Sequence, residues 1–370
     1  MSVCLIAQRR INMKYKILIT GAFNDAQYKF SFFEKIASSL ESSDFEIHRF
    51  NCFGLKAKGG LFLKILERLA TLPGRLLGFN KQAIKSFLPW TADGQRERLL
   101  LHAVKDFRPN AIIVISGFRH QARTLQACRK IGVQRLIGWY VEGPNEPGLP
   151  EREACLFDDY FCIHKEINFE INSKIIYLPS YGLDKSNFNR LLFPRQTRRN
   201  ILFVGTPTAR RIEFLSALDS LPLEIWGPRW EKVKNLKKFH CGEFIWGKEL
   251  NALHNQSSIV LNISSWPATM SGMTQRIVEI PASGAFMLTD ESQEISSIFK
   301  IGEQIDTFST PAELKSKCEH YLTHSARREV IAAHGHEVAL KIFDFSVTAK
   351  KLIENIELPM RALPTKNTDF

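Results

Sequence analysis

The stretch QRIVEIPASGAFMLTDE, residues 275–291, puts a guanidinium and a carboxylate one helical turn apart, at Arg276 and Glu279. On a helix these two side chains share a face. The carboxylate can accept both hydrogen bonds of a ribose diol, and the guanidinium can hold phosphate or orient the acid. The same spacing also suits a plain surface ion pair. Gly284 follows and lets the helix end close to a ligand. A second stretch, FVGTPTARR at 203–211, reads as a strand, then Gly205 and Thr206, then a helix with Arg210 and Arg211 at its start. A helix N-terminus offers amides to phosphate, and an arginine beside it can clamp a diphosphate. The two stretches together describe a nucleoside-diphosphate pocket.

Such a pocket needs a parallel sheet, whose ligands sit beyond the carboxyl ends of its strands. The sequence supplies the elements twice. KYKILITGAF (14–23), a helical spacing over 28–42 and FEIHRFNC (45–52) form a β-loop-α-β opening. Helix and strand alternate again through 96–118 and 124–141, and strands follow at 157–166 and 174–184. Residues 185–199, rich in Asn, Arg and Pro, read as a linker. The pattern then restarts with a strand, a Gly loop and a helix at 199–218, a strand at 223–230, a helix and strand over 248–264, and a helix and strand around Gly284. A final helix is expected at 346–356.

With 370 residues, 44% of them hydrophobic, two packed domains are the natural expectation. The net charge of +12 favours anionic partners, but no basic-aromatic stripe marks a nucleic-acid surface. Seven cysteines without a Cys-x-x-Cys pair argue against a zinc site and fit a reducing cytoplasm. His334 and His336 lie two apart, roughly 200° around a helix, and cannot easily share a metal. The acids of FDDYF are adjacent inside a buried strand pattern, a poor metal site. No GxGxxG or GxxxxGK[ST] motif is present, which argues against NAD and P-loop ATP chemistry. Residues 1–13 read as an upstream extension without a convincing signal peptide, and no run of 18 apolar residues suggests a membrane span. The basic amphipathic stretch 61–79 leaves two readings, helices packed on the sheet or a peripheral membrane contact.

VGTPTARR, WGPRW, LHNQSSIVLNIS and QRIVEIPASGAFMLTDE resemble the C-terminal half of GT-B glycosyltransferases, especially the CgeB-like, spore-maturation type. DFRPNAIIVISG, TLQACRKIGVQRLIGWYVEGP and YLPSYGLD follow the same family's order in the first half. The resemblance implies an α/β fold of two Rossmann-like domains facing across a cleft. These would be an acceptor-side domain at 14–190, a nucleotide-sugar domain at 198–345, and a C-terminal helix and tail at 346–370. It implies metal-independent transfer of a sugar from a nucleotide-diphosphate donor, without a cofactor, to a glycan, lipid-linked or protein acceptor. Gly205, Thr206, Arg210, Arg211, Arg276, Glu279 and Gly284 would then line the donor site.

By the same resemblance, Glu279 is similar to the ribose-binding Glu that ends a Glu-x7-Glu element. Ser271 stands where the first Glu would be. Glu142 replaces the family's loop Asp, and Glu142 and His120 are the candidates for the base that activates the acceptor. A nucleotide-sugar epimerase, or a non-catalytic nucleotide-sugar-binding protein of the same fold, would share this pocket.

Overall fold

In a computed structural model of the chain, the described residues are 14–23, 32–41, 45–52, 55, 61–76, 81–115, 120–143, 153–165, 175–191, 200–266, 271–342 and 344–355. The expected extension 1–13, the tail beyond 355, residues 77–79 of the amphipathic stretch and most of the 185–199 linker lie outside them. Among the described residues the chain forms two six-stranded sheets, and every strand pairing in both is parallel.

The first sheet holds β1 (Tyr15–Gly21), β2 (Phe45–Asn51), β3 (Ala111–Ile115), β4 (Arg135–Tyr140), β5 (Asp159–Cys162) and β6 (Ile175–Tyr177) in the order β2-β1-β3-β4-β5-β6. Strands such as AIIVI are buried along their whole length, as a sheet covered on both faces requires. The covering helices include α1 (Phe32–Leu40), α2 (Leu61–Leu76), α3 (Lys81–Lys85), α4 (Ala92–Phe107) and α5 (Ala122–Ile131). Thr91 caps α4 by accepting from the Gly94 amide at 3.0 Å.

The second sheet holds β7 (Ile201–Val204), β8 (Leu223–Trp226), β9 (His240–Gly242), β10 (Ile259–Asn262), β11 (Met287–Asp290) and β12 (Asp306–Phe308), ordered β12-β11-β10-β7-β8-β9. Its helices are α6 (Ala209–Ser216), α7 (Gly247–Gln256), α8 (Arg276–Ala282), α9 (Gln293–Ser296), α10 (Pro311–Thr323) and α11 (Ser325–Ile342). Strand order reverses between β7 and β10, so a crevice opens beyond their carboxyl ends.

Two packing details bear on where the domains divide. Leu183 and Phe188 pack into the second core with Leu202, Ile277 and Met287, so the chain has changed domains before residue 190. The last helix, α12 (Phe345–Asn355), returns to the first domain: Phe345, Ala349 and Leu352 share a core with Ile36 and Ala37 of α1.

Candidate active site

The reversal point of the second sheet is built around Gly205. Its amide donates to the Trp226 carbonyl at 2.8 Å, and the Trp230 indole donates to the Gly205 carbonyl at 2.6 Å. Gly227 turns at φ 138°, where a Cβ would lie 2.1 Å from that same carbonyl oxygen. The WGPRW segment is therefore the clamp that fixes the loop after β7, and Gly227 is the residue its turn requires. Thr206 follows, and Thr208 caps α6 by accepting from the Arg211 amide at 3.3 Å. The first amides of α6 lack acceptors within the helix and open toward the crevice.

Arg211 is not a free clamp. It is buried, with Nε donating to the Ile263 carbonyl at 2.8 Å and one terminal nitrogen to the Thr206 carbonyl at 3.0 Å. Its guanidinium ties the loop after β7 to the loop after β10. Burial, reinforced by the positive charge of Arg276, lowers its pKa to about 10 against the pull of Asp290. Arg210 is more open: it reaches Asp290 at 3.4 Å and lies over the Phe214 ring, while its Nε has no partner among the described residues.

Asp290 ends β11. Its carboxylate accepts from the Ser264 amide at 3.0 Å and the Ser264 hydroxyl at 3.1 Å. Burial raises its pKa, and the bonds from Ser264 and Arg210 oppose that rise. Beside it, the Asn262 amide donates to Thr289 at 3.0 Å and its carbonyl accepts from Thr274 at 2.9 Å. This lattice ties the ends of β10 and β11 to the segment leading into α8.

Arg276 and Glu279 stand on the first turn of α8, as their spacing predicts, and both are half-buried. The Arg276 Nε is enclosed without a partner among the described residues. Burial lowers the Arg276 pKa and Glu279 offsets part of that. Burial pushes Glu279 up to about 7, opposed by Arg276 and reinforced by Asp184. Asp184 itself stays ionised: burial would raise it, but hydrogen bonds from Ser186, Asn187 and Lys35 hold it below the usual range. Lys35 reaches it from α1 at 3.0 Å, so this pair spans the two domains.

The seam between the domains passes directly through the site. His164, just after β5, has Nε2 at 2.8 Å from the Glu142 carbonyl and Nδ1 at 2.5 Å from the Ser271 carbonyl. The Lys165 amide donates to the Ser271 hydroxyl at 2.6 Å. Gly272, at φ 96°, leaves no room for a Cβ, which would sit 2.8 Å from the His164 ring. Its amide donates to Glu294 at 2.7 Å, and Glu294 also accepts from the Tyr177 hydroxyl of the first domain. Gln275, at the head of α8, exchanges hydrogen bonds with both the amide and carbonyl of Gly182. Glu142 thus sits half-buried beside the segment that feeds Arg276 and Glu279.

Two candidates fall elsewhere. His120 follows β3, but its side chain is fully enclosed, 3.3 Å from Glu97 and 4.0 Å from the Cys52 sulfur. Burial would raise the Glu97 pKa, yet hydrogen bonding to His120 holds it low. A ring closed in this way offers no approach to a sugar hydroxyl. Gly284 adopts φ 70° and caps the far end of α8, ahead of β11, at the opposite edge of the sheet from Arg276. There it makes the turn from α8 into β11.

His164, Asp290 and Glu294 were not picked out from the sequence. A polar residue closing an apolar strand was the available signal for the first two, in FCIHKE and FMLTDE. Among the described residues no group of three or more His, Cys, Asp or Glu side chains converges to hold a metal ion.

Residues 209–354 match the family model described as glycosyl transferase-like. The architecture is similar to sucrose-phosphate synthase from Thermosynechococcus elongatus, at TM-score 0.66 and 11% identity over 92% of this chain and 98% of that one. It is also similar to HepE from Anabaena, solved with UDP-glucose, at TM-score 0.60 and 13% identity over 92% and 98%. A glycosyltransferase from Rickettsia africae gives TM-score 0.60 at 12% identity over 92% and 97%. The chain has the GT-B fold. Within that fold, the glycosyl transferase-like match covers α6, Arg276, Glu279 and Asp290 and extends into α12. No curated protein sequence matches the chain.

Proposed function

We propose that the protein is a glycosyltransferase of the CgeB-like type. It would move a sugar from a nucleoside-diphosphate sugar, held by the second domain, to a glycan, lipid-linked or protein acceptor presented by the first. One observation carries the reading. An enclosed Arg276 Nε without a partner among the described residues and the Glu279 carboxylate stand together at the reversal point of the sheet, beside the amides of α6. Glu279 would accept the ribose hydroxyls. Thr206 and the α6 amides would meet the phosphates, and Arg210 and Arg276 would face them.

When the bond from sugar to diphosphate breaks, its electron pair passes to a phosphate oxygen. Arg210, Arg276 and the helix amides would stabilise that charge without a metal ion. Glu142, at the seam, would take the proton of the attacking hydroxyl. Because the similar HepE was solved with UDP-glucose, UDP-sugars are the first donors to try.

The test is release of nucleoside diphosphate from a panel of UDP- and GDP-sugars with mixed acceptors. Arg210→Ala and Arg276→Ala should each lower turnover about 10²–10³-fold. No release from any donor would contradict the proposal. Ser271 supports a second reading, a non-catalytic nucleotide-sugar binder, because its hydroxyl and carbonyl are both engaged by the first domain. That reading predicts binding of a nucleotide sugar with no turnover. An epimerase would instead yield product without any acceptor.

A further inference from the structure

The helix α2 (Leu61–Leu76) carries an apolar face turned outward. Phe62 is 70% exposed, Ile65 47%, Leu69 61% and Leu72 57%. At about 100° per residue these four fall within an arc of about 80°. Lys64 and Arg68, both exposed, lie roughly 40–80° to one side of that arc. The helix's single acid, Glu67, is half-buried and paired with Lys85 of α3, so it does not offset the cations. The opposite side of α2 turns inward: Thr71 is buried, and Glu67 pairs with Lys85 of the neighbouring helix.

An outward apolar stripe bordered by cations, on a chain of net charge +12, matches one kind of partner. We infer that α2 docks the first domain onto an anionic lipid surface, with Phe62, Ile65, Leu69 and Leu72 entering the headgroup boundary and Lys64 and Arg68 meeting lipid phosphates. A second copy of the chain is a poorer occupant. Antiparallel pairing of this face with itself about a two-fold axis would set the two cation rows close together, and parallel pairing would leave each row without an anion to meet. The docking surface lies on the first domain and does not depend on the activity proposed above.

Flotation of the full chain with vesicles of phosphatidylcholine alone, and of phosphatidylcholine with phosphatidylglycerol, tests the inference. Wild type should float with the anionic vesicles, and binding should weaken as salt rises. Lys64→Gln and Arg68→Gln should each weaken it about fivefold. Ile65→Gln with Leu69→Gln should weaken it about tenfold or more at any salt concentration. Phe62→Gln alone, at the most exposed position, should lower binding while the melting temperature stays at the wild-type value. The inference is overturned by absent binding, by equal binding to neutral vesicles, or by wild-type binding of the apolar variants. Sedimentation showing a lipid-free dimer that Ile65→Gln with Leu69→Gln dissolves would overturn it in favour of a second copy.

Discussion

Replacing Glu279 by Gln removes a titration that the fold makes unfavourable. Burial carries Glu279 from an ordinary 4.5 to about 7, with Arg276 opposing and Asp184 adding to the rise. The unfolded chain therefore ionises this group first, and its ionisation lowers stability as pH climbs from 4.5 through about 7. The full interval corresponds to about 3 kcal/mol, at about 1.4 kcal/mol per pH unit. Glu279 keeps some exposure, so solvent screening reduces the expected effect to about 1–3 kcal/mol. Gln cannot ionise. Relative to wild type, Glu279→Gln should show a constant offset below about pH 4.5 and gain about 1–3 kcal/mol by about pH 8. Urea midpoints of both proteins across that range, with unchanged slopes, measure the gain. Any packing penalty of Gln itself cancels, because only the pH dependence matters. A difference that stays flat from acid to alkaline pH would refute the placement of Glu279 in an ion-destabilising groove.

Three further outcomes follow from the geometry. Arg211→Lys cannot bridge the Ile263 and Thr206 carbonyls together, so it should lower stability by about 1–3 kcal/mol and weaken nucleotide binding. Unchanged urea midpoints would contradict that bridging role. Gly227→Ala must hold a φ of 138° against the Gly205 carbonyl and should lose about 2–4 kcal/mol, read as a fall in melting temperature. His164→Phe keeps a ring but loses the contact to the Ser271 carbonyl across the seam, along with the contact to Glu142 that positions the ring within the first domain, so limited proteolysis between the domains should accelerate. A digestion rate equal to wild type would show that His164 does not couple them.

The parallel strands were legible because burial on both faces leaves continuous apolar runs, as in AIIVI and ILFV. Two three-residue edge strands of the second sheet were not: HCG and DTF are too short to show any period, and β9 and β12 went unread. The placement of Arg276 and Glu279 was legible because both stand within one helical turn. Arg211 was recognised as a cation, but its two acceptors come from separate loops, so its bridging role is invisible to local spacing. His164 meets Ser271 across 107 residues, and no local pattern reports such a contact. His120 misled because the residue after a strand's carboxyl end can turn inward as readily as toward a cleft. Here Glu97 and Cys52 enclose it. Gly284 misled because a helix has two ends, and the glycine marks the one away from the crevice.

Calorimetric titration of UDP and GDP into wild type and Glu279→Ala tests the donor pocket most directly. One nucleotide should bind wild type with measurable heat, and Glu279→Ala should bind it at least about tenfold more weakly, as loss of hydrogen bonds to a charged group requires. Equal affinity of the two proteins would contradict the assignment of this crevice as the nucleotide site.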